Sequence, residues 1–517
     1  MELPWVCRAV ISRLSNIKRR GVRVVNIEPL GYLVILCGLL AIFLGARFAM
    51  AVLCLAILLG SAAVLQMPVL GGASIQPSHF LLPFLLCGLI LRPGQATAAC
   101  SAMGSRGAGF WFAAYVLFSV MTAIFLPRIF AGATLVYSSA RDHSGMMKTI
   151  AAPLAPGSSN VTQSVYLLGD LVCFLLVAGL ARFGYAGAIV RALIVMSATC
   201  LLFAVLDLGT YFTGHANLLD PIRNANYTLH TGATFHGFKR IVGSYPEASA
   251  FGSVALALCT FLVILWLDQY PARAIGLITL LLAAAVLFST STTAYLASLV
   301  VIAMVVCFCL VSLATGRAHR RHNLFLASLL IVGPLAFMGL MLSPQAYAAM
   351  SDLFNGAIAQ KMQSQSGEER TAWNTLALVS FIETSLLGAG LGTVRASSFL
   401  VALLSNVGLF GTLLFCFFLV RLVAGVLRQR LASANQRTLG LAALISSFAQ
   451  ITSATVSGSS TDLGLLFSVT SGLAAGYALG PMYEGPRARR ALDVGQLQVR
   501  QGADRLSTAL QSEGARA

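Results

Sequence analysis

Ala250-Phe-Gly-Ser-Val-Ala-Leu-Ala-Leu-Cys-Thr-Phe-Leu-Val-Ile-Leu-Trp-Leu267 holds no charge and no proline, and it follows Arg240-Ile-Val-Gly-Ser-Tyr-Pro-Glu247, a short polar stretch. The apolar stretch is near the roughly 20 residues that cross a hydrocarbon core as a helix. Lipid offers backbone N–H and C=O groups no partner, so such a run must satisfy them internally as a helix. The pattern recurs at Gly31–Gly45, Phe110–Pro127, Val165–Leu180, Ala188–Leu206, Ile275–Phe288, Ala294–Leu313, Leu324–Met341, Phe399–Val420, Leu439–Ile451 and Leu463–Leu479. The 517 residues are 58% hydrophobic and 10% charged, with mean hydropathy +0.84. A soluble domain carries about 25% charged residues, so this chain has no surface for water. Strand alternation is absent, which argues against a barrel. The expectation is an all-α, polytopic transmembrane helix bundle of about 12 spans. Two large polar loops, 207–247 and 343–398, interrupt it.

The formal charge of +17 does not point to nucleic acid. Basic residues sit at the ends of apolar runs: Arg317, Arg320 and Arg321; Arg421, Arg428, Arg430 and Arg437; Arg487, Arg489 and Arg490. That is the positive-inside pattern of cytoplasmic loops. Counting back from the Arg-rich tail, 343–398 is outside, 317–321 inside, 207–247 outside, 182–191 inside, 128–163 outside and 92–106 inside. The front end is ambiguous because Arg47 separates Leu30–Gly45 from Met50–Leu65. Two separate crossings would put the basic N-terminus outside; with only one of the two crossing fully, the total is twelve spans with both ends cytoplasmic. Residues 1–29 then form a basic cytoplasmic N-terminus read as a retained signal anchor, 30–480 the transmembrane domain and 481–517 a cytoplasmic polar tail. Nine of the eleven cysteines lie inside apolar runs, where Cys behaves as a small hydrophobe. Neither large loop contains a cysteine, so no disulfide framework or CxxC metal site is expected.

The first loop concentrates His215, His230, His236, Arg223, Lys239, Arg240 and Glu247. Its histidines have neither helical i, i+4 spacing nor an HExxH pattern, and wet-loop residues are the plainer account than zinc. Pro246 suits the first turn of the following helix. Glu247 is then either an acid that complements the helix dipole or a functional carboxylate beside Arg240. The second loop offers Arg370 at the start of an amphipathic surface helix, followed by Gly388-Ala-Gly390-Leu-Gly392 and Arg395-Ala-Ser397-Ser398. With no βαβ context the glycines are not a dinucleotide fingerprint. They are expected to form a flexible turn that approaches a ligand or re-enters the membrane. Arg370 has the alternative of a surface charge bonded to Glu368 or Glu369. Ser289-Thr-Ser-Thr-Thr293 is either a plain polar turn or part of the same site. Arginines on two outer loops suit an anion whose greasy part lies in lipid, because guanidinium binds phosphate bidentately. A diphosphate-linked lipid fits.

At these residues the chain resembles the bacterial O-antigen polymerase and ligase superfamily, closest to exopolysaccharide or capsule repeat-unit polymerases. The matching patterns are Arg240-x-x-Gly243-Ser-Tyr-x-Glu247-x-Ser249-x-Phe251, the Ser289–Thr293 turn, Arg370-x-x-Trp373, Gly388-x-Gly390-x-Gly392-x-x-Arg395-x-Ser397-Ser398, and Ser405-Asn406-x-Gly408-Leu-Phe-Gly411. The resemblance implies a multi-pass protein of the bacterial inner membrane, with both large loops periplasmic. The implied activity joins undecaprenyl-diphosphate-linked oligosaccharide repeats into exopolysaccharide, capsule or O-antigen. Its partners would be the lipid-linked glycan donor and acceptor, membrane lipid, a chain-length regulator and a flippase. It implies catalytic Glu247, Arg240 and Arg370, with Lys239, Tyr245, Arg395, Ser398 and His236 binding substrate. The outer loops contain no Asp-x-Asp motif, so no cofactor or divalent metal is expected. A ligase that transfers finished polymer is the nearest alternative, although the ligase-type His segment near the glycine turn is absent. A flippase should carry ionisable residues within its spans, and here they gather at the loops. A scaffolding subunit of an export complex would not require paired basic loops.

Overall fold

The computed structural model describes residues 26–67, 73–105, 107–141, 147–226, 229–235, 238–343, 365–429, 433–480 and 482. It is all-helical apart from short strands. The helices are α1 (Pro29–Leu44), α2 (Ala46–Ile57), α3 (Pro77–Ile90), α4 (Pro93–Ser101), α5 (Ala108–Ile129), α6 (Ser158–Leu180), α7 (Ala186–Phe212), α8 (Ala248–Leu267), α9 (Ile275–Phe288), α10 (Thr292–Ala314), α11 (Arg320–Leu342), α12 (Gln365–Glu383), α13 (Phe399–Arg428), α14 (Ala434–Ser457) and α15 (Leu465–Leu479). Among the described residues six helical stretches are long and apolar enough to cross a membrane: 108–129, 158–212, 248–267, 292–314, 399–428 and 434–457. The pair α3–α4, bent by 112°, makes a seventh if taken as one broken span. Large apolar side chains face outward, with Phe43 80% exposed and Leu280, Leu287 and Phe288 on α9 each more than half exposed. A soluble monomer rarely shows contiguous apolar surface on this scale; the exposure fits a multi-pass membrane protein.

Stretch 158–212 is broken at Gly184, whose φ of +100° is left-handed. The Tyr166 hydroxyl donates to the Ser74 carbonyl, and the Asn226 amide donates to the Ser74 hydroxyl. Both ends of the stretch therefore lie at one end of the bundle, and the break at Gly184 reverses the chain. The same logic settles the front of the molecule. Strand Asn26–Ile27 pairs antiparallel with Leu65–Met67, which pairs with Ala73–Ile75. Helices α1 and α2 thus form a hairpin of two short apolar helices. Asn26 lies at the end of the bundle where Gln66 donates to the Asn224 carbonyl. Gly480 lies at the opposite end, where its carbonyl accepts from Arg182 Nε. The two ends of the described chain leave on opposite sides, whereas both had been expected on the same one. At the hairpin tip Arg92 donates to Gly88 and Ile42 carbonyls, both at 2.7 Å. A cation there complements the negative C-terminal ends of α1 and α3.

Small residues set the close packing. Gly472 and Gly476 on α15 lie against the Phe174 and Ala178 carbonyls of α6, where a Cβ would come within 2.8 Å of either oxygen. Such residues let backbones approach where lipid provides no hydrophobic drive. Phe112, Phe174, Phe415, Phe418 and Phe467 form the aromatic centre of the core. The stretch between α5 and α6, expected only as an outer loop, is a hairpin of Leu135–Arg141 with Met147–Pro153. It stands at the same end as the 207–247 loop.

Candidate active site

The 207–247 loop folds around one buried carboxylate. Asp207, in the last turns of α7, is 2% exposed. Its Oδ1 takes Arg223 Nη2 at 2.6 Å, and its Oδ2 takes Lys239 Nζ at 3.3 Å, Val242 N at 2.8 Å and Gly243 N at 3.2 Å. A buried charge is tolerable when paired and hydrogen-bonded in this way. The hub fixes the backbone on both sides of Arg240. The loop is then tied to the first hairpin: the Ser244 hydroxyl donates to the Leu58 carbonyl, Ser61 N to the Ser244 carbonyl, and Ala63 N to Asn224 Oδ1.

Arg240 points the other way. Its Nε and Nη2 donate to the hydroxyl and carbonyl of Thr290 at 3.2 and 3.1 Å. The Ser289–Thr293 turn is therefore the seat of this arginine, with Thr290 at φ +49° and Ser291 capping α10 through Ala294 N. Glu247 is the N-cap residue of α8 and makes no side-chain cap bond; instead its carboxylate accepts from the Ser249 hydroxyl. As the N-cap residue, Glu247 lies where its charge complements the α8 dipole, and it also lies close enough to Arg240 to interact with its charge. Pro246 accordingly lies outside the first turn, and its carbonyl accepts from His230 N at 2.8 Å.

The second arm comes from α12 and the segment after it. Gly388, Gly390 and Gly392 have φ of +85°, +99° and +78°. A Cβ on them would lie 2.6 Å from Gly408 N, 2.6 Å from Pro127 Cδ and 2.7 Å from the Ser159 carbonyl oxygen. These glycines are a tight packing joint against other backbone; they form neither the flexible turn nor the ligand approach expected of them. Asn406, 2% exposed, accepts from Thr393 N and Val394 N and donates to the Val394 and Ala402 carbonyls. Arg395 emerges from this joint. Its amide donates to the Tyr137 carbonyl of the β-hairpin, and its guanidinium lies 4.6 Å from the Trp373 ring centroid.

Arg240, Glu247, Arg370 and Arg395 line one cavity of about 360 Å³, together with His230, Glu369, Trp373, Ser397 and Ser457. Three guanidiniums face two carboxylates there. Burial holds the Arg240 and Arg395 guanidiniums below their ordinary range; Glu247 pulls both back, and the Arg370 charge pushes both further down. A bound anion would relieve that repulsion.

Other expected binding residues fall elsewhere. Lys239 is buried, spends its ammonium on Asp207 and the Arg240 carbonyl, and does not line the cavity. Burial pushes it below the usual lysine range while Asp207 pulls it up. Tyr245 packs on Gly60 and donates to the Ile57 carbonyl at 3.4 Å, facing a neighbouring cavity. Ser398 is the N-cap residue of α13, and Ser397 lines the site in its place. His236 lies outside the described residues. Sequence reasoning missed Asp207 as a hub, Thr290 as an anchor, and Ser457 and Ser459 as lining. The Ser-rich break at 457–460 between two apolar runs was the available signal for the last two. A scan of protein-family models finds none that matches this chain, and a search of curated proteins finds no match either.

Proposed function

We propose that this protein is a membrane glycosyltransferase that joins undecaprenyl-diphosphate-linked oligosaccharide repeats into polysaccharide, working on the periplasmic face of a bacterial inner membrane. The observation that carries the reading is the meeting of Arg240, Glu247, Arg370 and Arg395 in one cavity at one end of the bundle. A lipid diphosphate would lay its two phosphates against the guanidiniums while its tail stays in the bilayer. An acceptor hydroxyl attacks the anomeric carbon, and the C–O bond to the diphosphate breaks with its electron pair leaving on the phosphate oxygen. Glu247 takes the hydroxyl proton. Prepositioned arginines gain most as charge develops on the leaving group, which is what lowers a barrier. Thr290 holds Arg240, and the Trp373 ring lies against the Arg395 guanidinium.

A flippase reading has less support. The ionisable cluster stands at one end of the bundle; among the described residues the acid deep in a long apolar helix is Asp170, buried beside Asp462. The test uses purified full-length protein in nanodiscs with the lipid-linked repeat extracted from cells lacking it. Wild type should lengthen the glycan, with or without EDTA. Arg240→Ala and Arg370→Ala should each lower kcat/KM by about 10²–10³. Full-length product from both variants would remove the assignment, and attachment of long chains to a lipid A core without lengthening would favour the ligase.

A further inference from the structure

A second cavity, about 500 Å³, adjoins the arginine site and shares Glu247, Ser249, Thr293 and Ser457 with it. Its chemistry is different. Among the described residues no Lys or Arg lines it. The wall carries amides and hydroxyls, among them Gln76, Gln163, Gln450 and Ser453. Two groups facing it hold unspent hydrogen-bonding capacity. Ser453 is 2% exposed and its hydroxyl has no partner among the described residues; both ring nitrogens of His79 are buried and equally unpartnered. Such groups cost free energy unless something supplies the missing bonds. The His79 ring also lies 4.5 Å from that of Tyr166, which gives the wall an aromatic face.

We propose that this cavity is the subsite for the acceptor sugar: a neutral, hydroxyl-rich ring that meets the unpartnered Ser453 and His79 groups and lays its C–H face on the aromatic pair. The inference rests on the function proposed above. Diphosphate belongs with the guanidiniums; the second cavity offers it no cation and sets the Asp462 and Glu247 carboxylates against it. In a displacement at the anomeric carbon the nucleophile enters opposite the leaving group. Glu247 stands in the wall common to both cavities, so the hydroxyl it deprotonates arrives from the side without arginines. The cleft is thus divided by charge, with leaving group on one side and acceptor on the other.

The experiment measures transfer from the lipid-linked repeat to the free oligosaccharide prepared from it by removing lipid and diphosphate. Gln450→Leu removes an amide; Ser253→Phe fills the cavity from α8 and deletes only a bond to the helix's own Ser249 carbonyl. Each should raise the acceptor KM by about tenfold or more, leave the donor KM unchanged, and preserve slow release of oligosaccharide from the donor by water. Size-exclusion profiles matching wild type confirm folding. An unchanged acceptor KM in the Ser253→Phe protein overturns the subsite, as does a raised donor KM with the acceptor KM intact. Wild-type protein that transfers nothing overturns the functional reading itself, a separate result.

Discussion

Asp207 and Arg395 show how little of a residue's role follows from its own type. Asp207 has a carboxylate's charge and yet meets only its own chain: two cations and two backbone amides. Breaking a buried pair leaves uncompensated charge and costs about 3–5 kcal/mol. Asp207→Ala should therefore lower the unfolding temperature in detergent, and Asp207→Asn, which keeps the shape, should do so less; equal melting of all three proteins would contradict the hub. Arg395→Lys keeps the charge and loses the guanidinium that lies over the Trp373 ring. Guanidinium and ammonium are not interchangeable at a stacked site, so activity should fall about tenfold while stability moves by about 1 kcal/mol. Four of the five charged residues of the cavity, Arg240, Glu247, Arg370 and Arg395, were legible in the sequence, because a charge beside long apolar runs has few reasons to be there. Lys239 was expected in the cavity because it carries the same charge as its neighbour Arg240. Only the position of Asp207, a partner distant along the chain, decides that one points into the protein and the other into the cavity.

At the scale of elements, the helices were legible and their joints were not. Apolar runs announce themselves by length, but Gly184, Gly388 and Gly408 turn or kink the chain through left-handed φ values that the surrounding packing selects. The β-hairpin of 135–153 was invisible because it is short and lies in a polar stretch. The glycine joint gives the sharpest test. Gly390→Ala meets both a φ of +99° and the ring of Pro127, and strain of this kind costs about 1–3 kcal/mol or more. Membrane yield and unfolding temperature should both drop. Asn406→Leu removes four hydrogen bonds at one buried point and should be at least as damaging, with Arg395 losing its placement. Normal yield and full activity in both variants would show that the joint does not position the site.

The whole molecule departs from the sequence reading in its front end. The charge rule favoured a cytoplasmic N-terminal segment, but the strand pairing of Asn26–Ile27 with Leu65–Met67 puts Asn26 and Ile27 at the end where the candidate site opens. A charge count weighs loops one at a time and cannot see a strand closing on a loop two helices later. In a cysteine-free background, single cysteines at Ile27 and Asn226 should react with an impermeant maleimide from the same side of the membrane, and a cysteine at Thr315 only from the other. Labelling of Ile27 together with Thr315 would break the hairpin arrangement.

The glycine joint has one further consequence. Because its backbone is wedged between Pro127 on α5, Ser159 on α6 and Gly408 on α13, its thickness works as a shim setting how far apart three helices stand at the mouth of the cavity. Inserting a single carbon there would shift Arg395 relative to Arg240 without touching either side chain. The spacing between the arms that grip the ligand is therefore written in residues that carry no functional group at all.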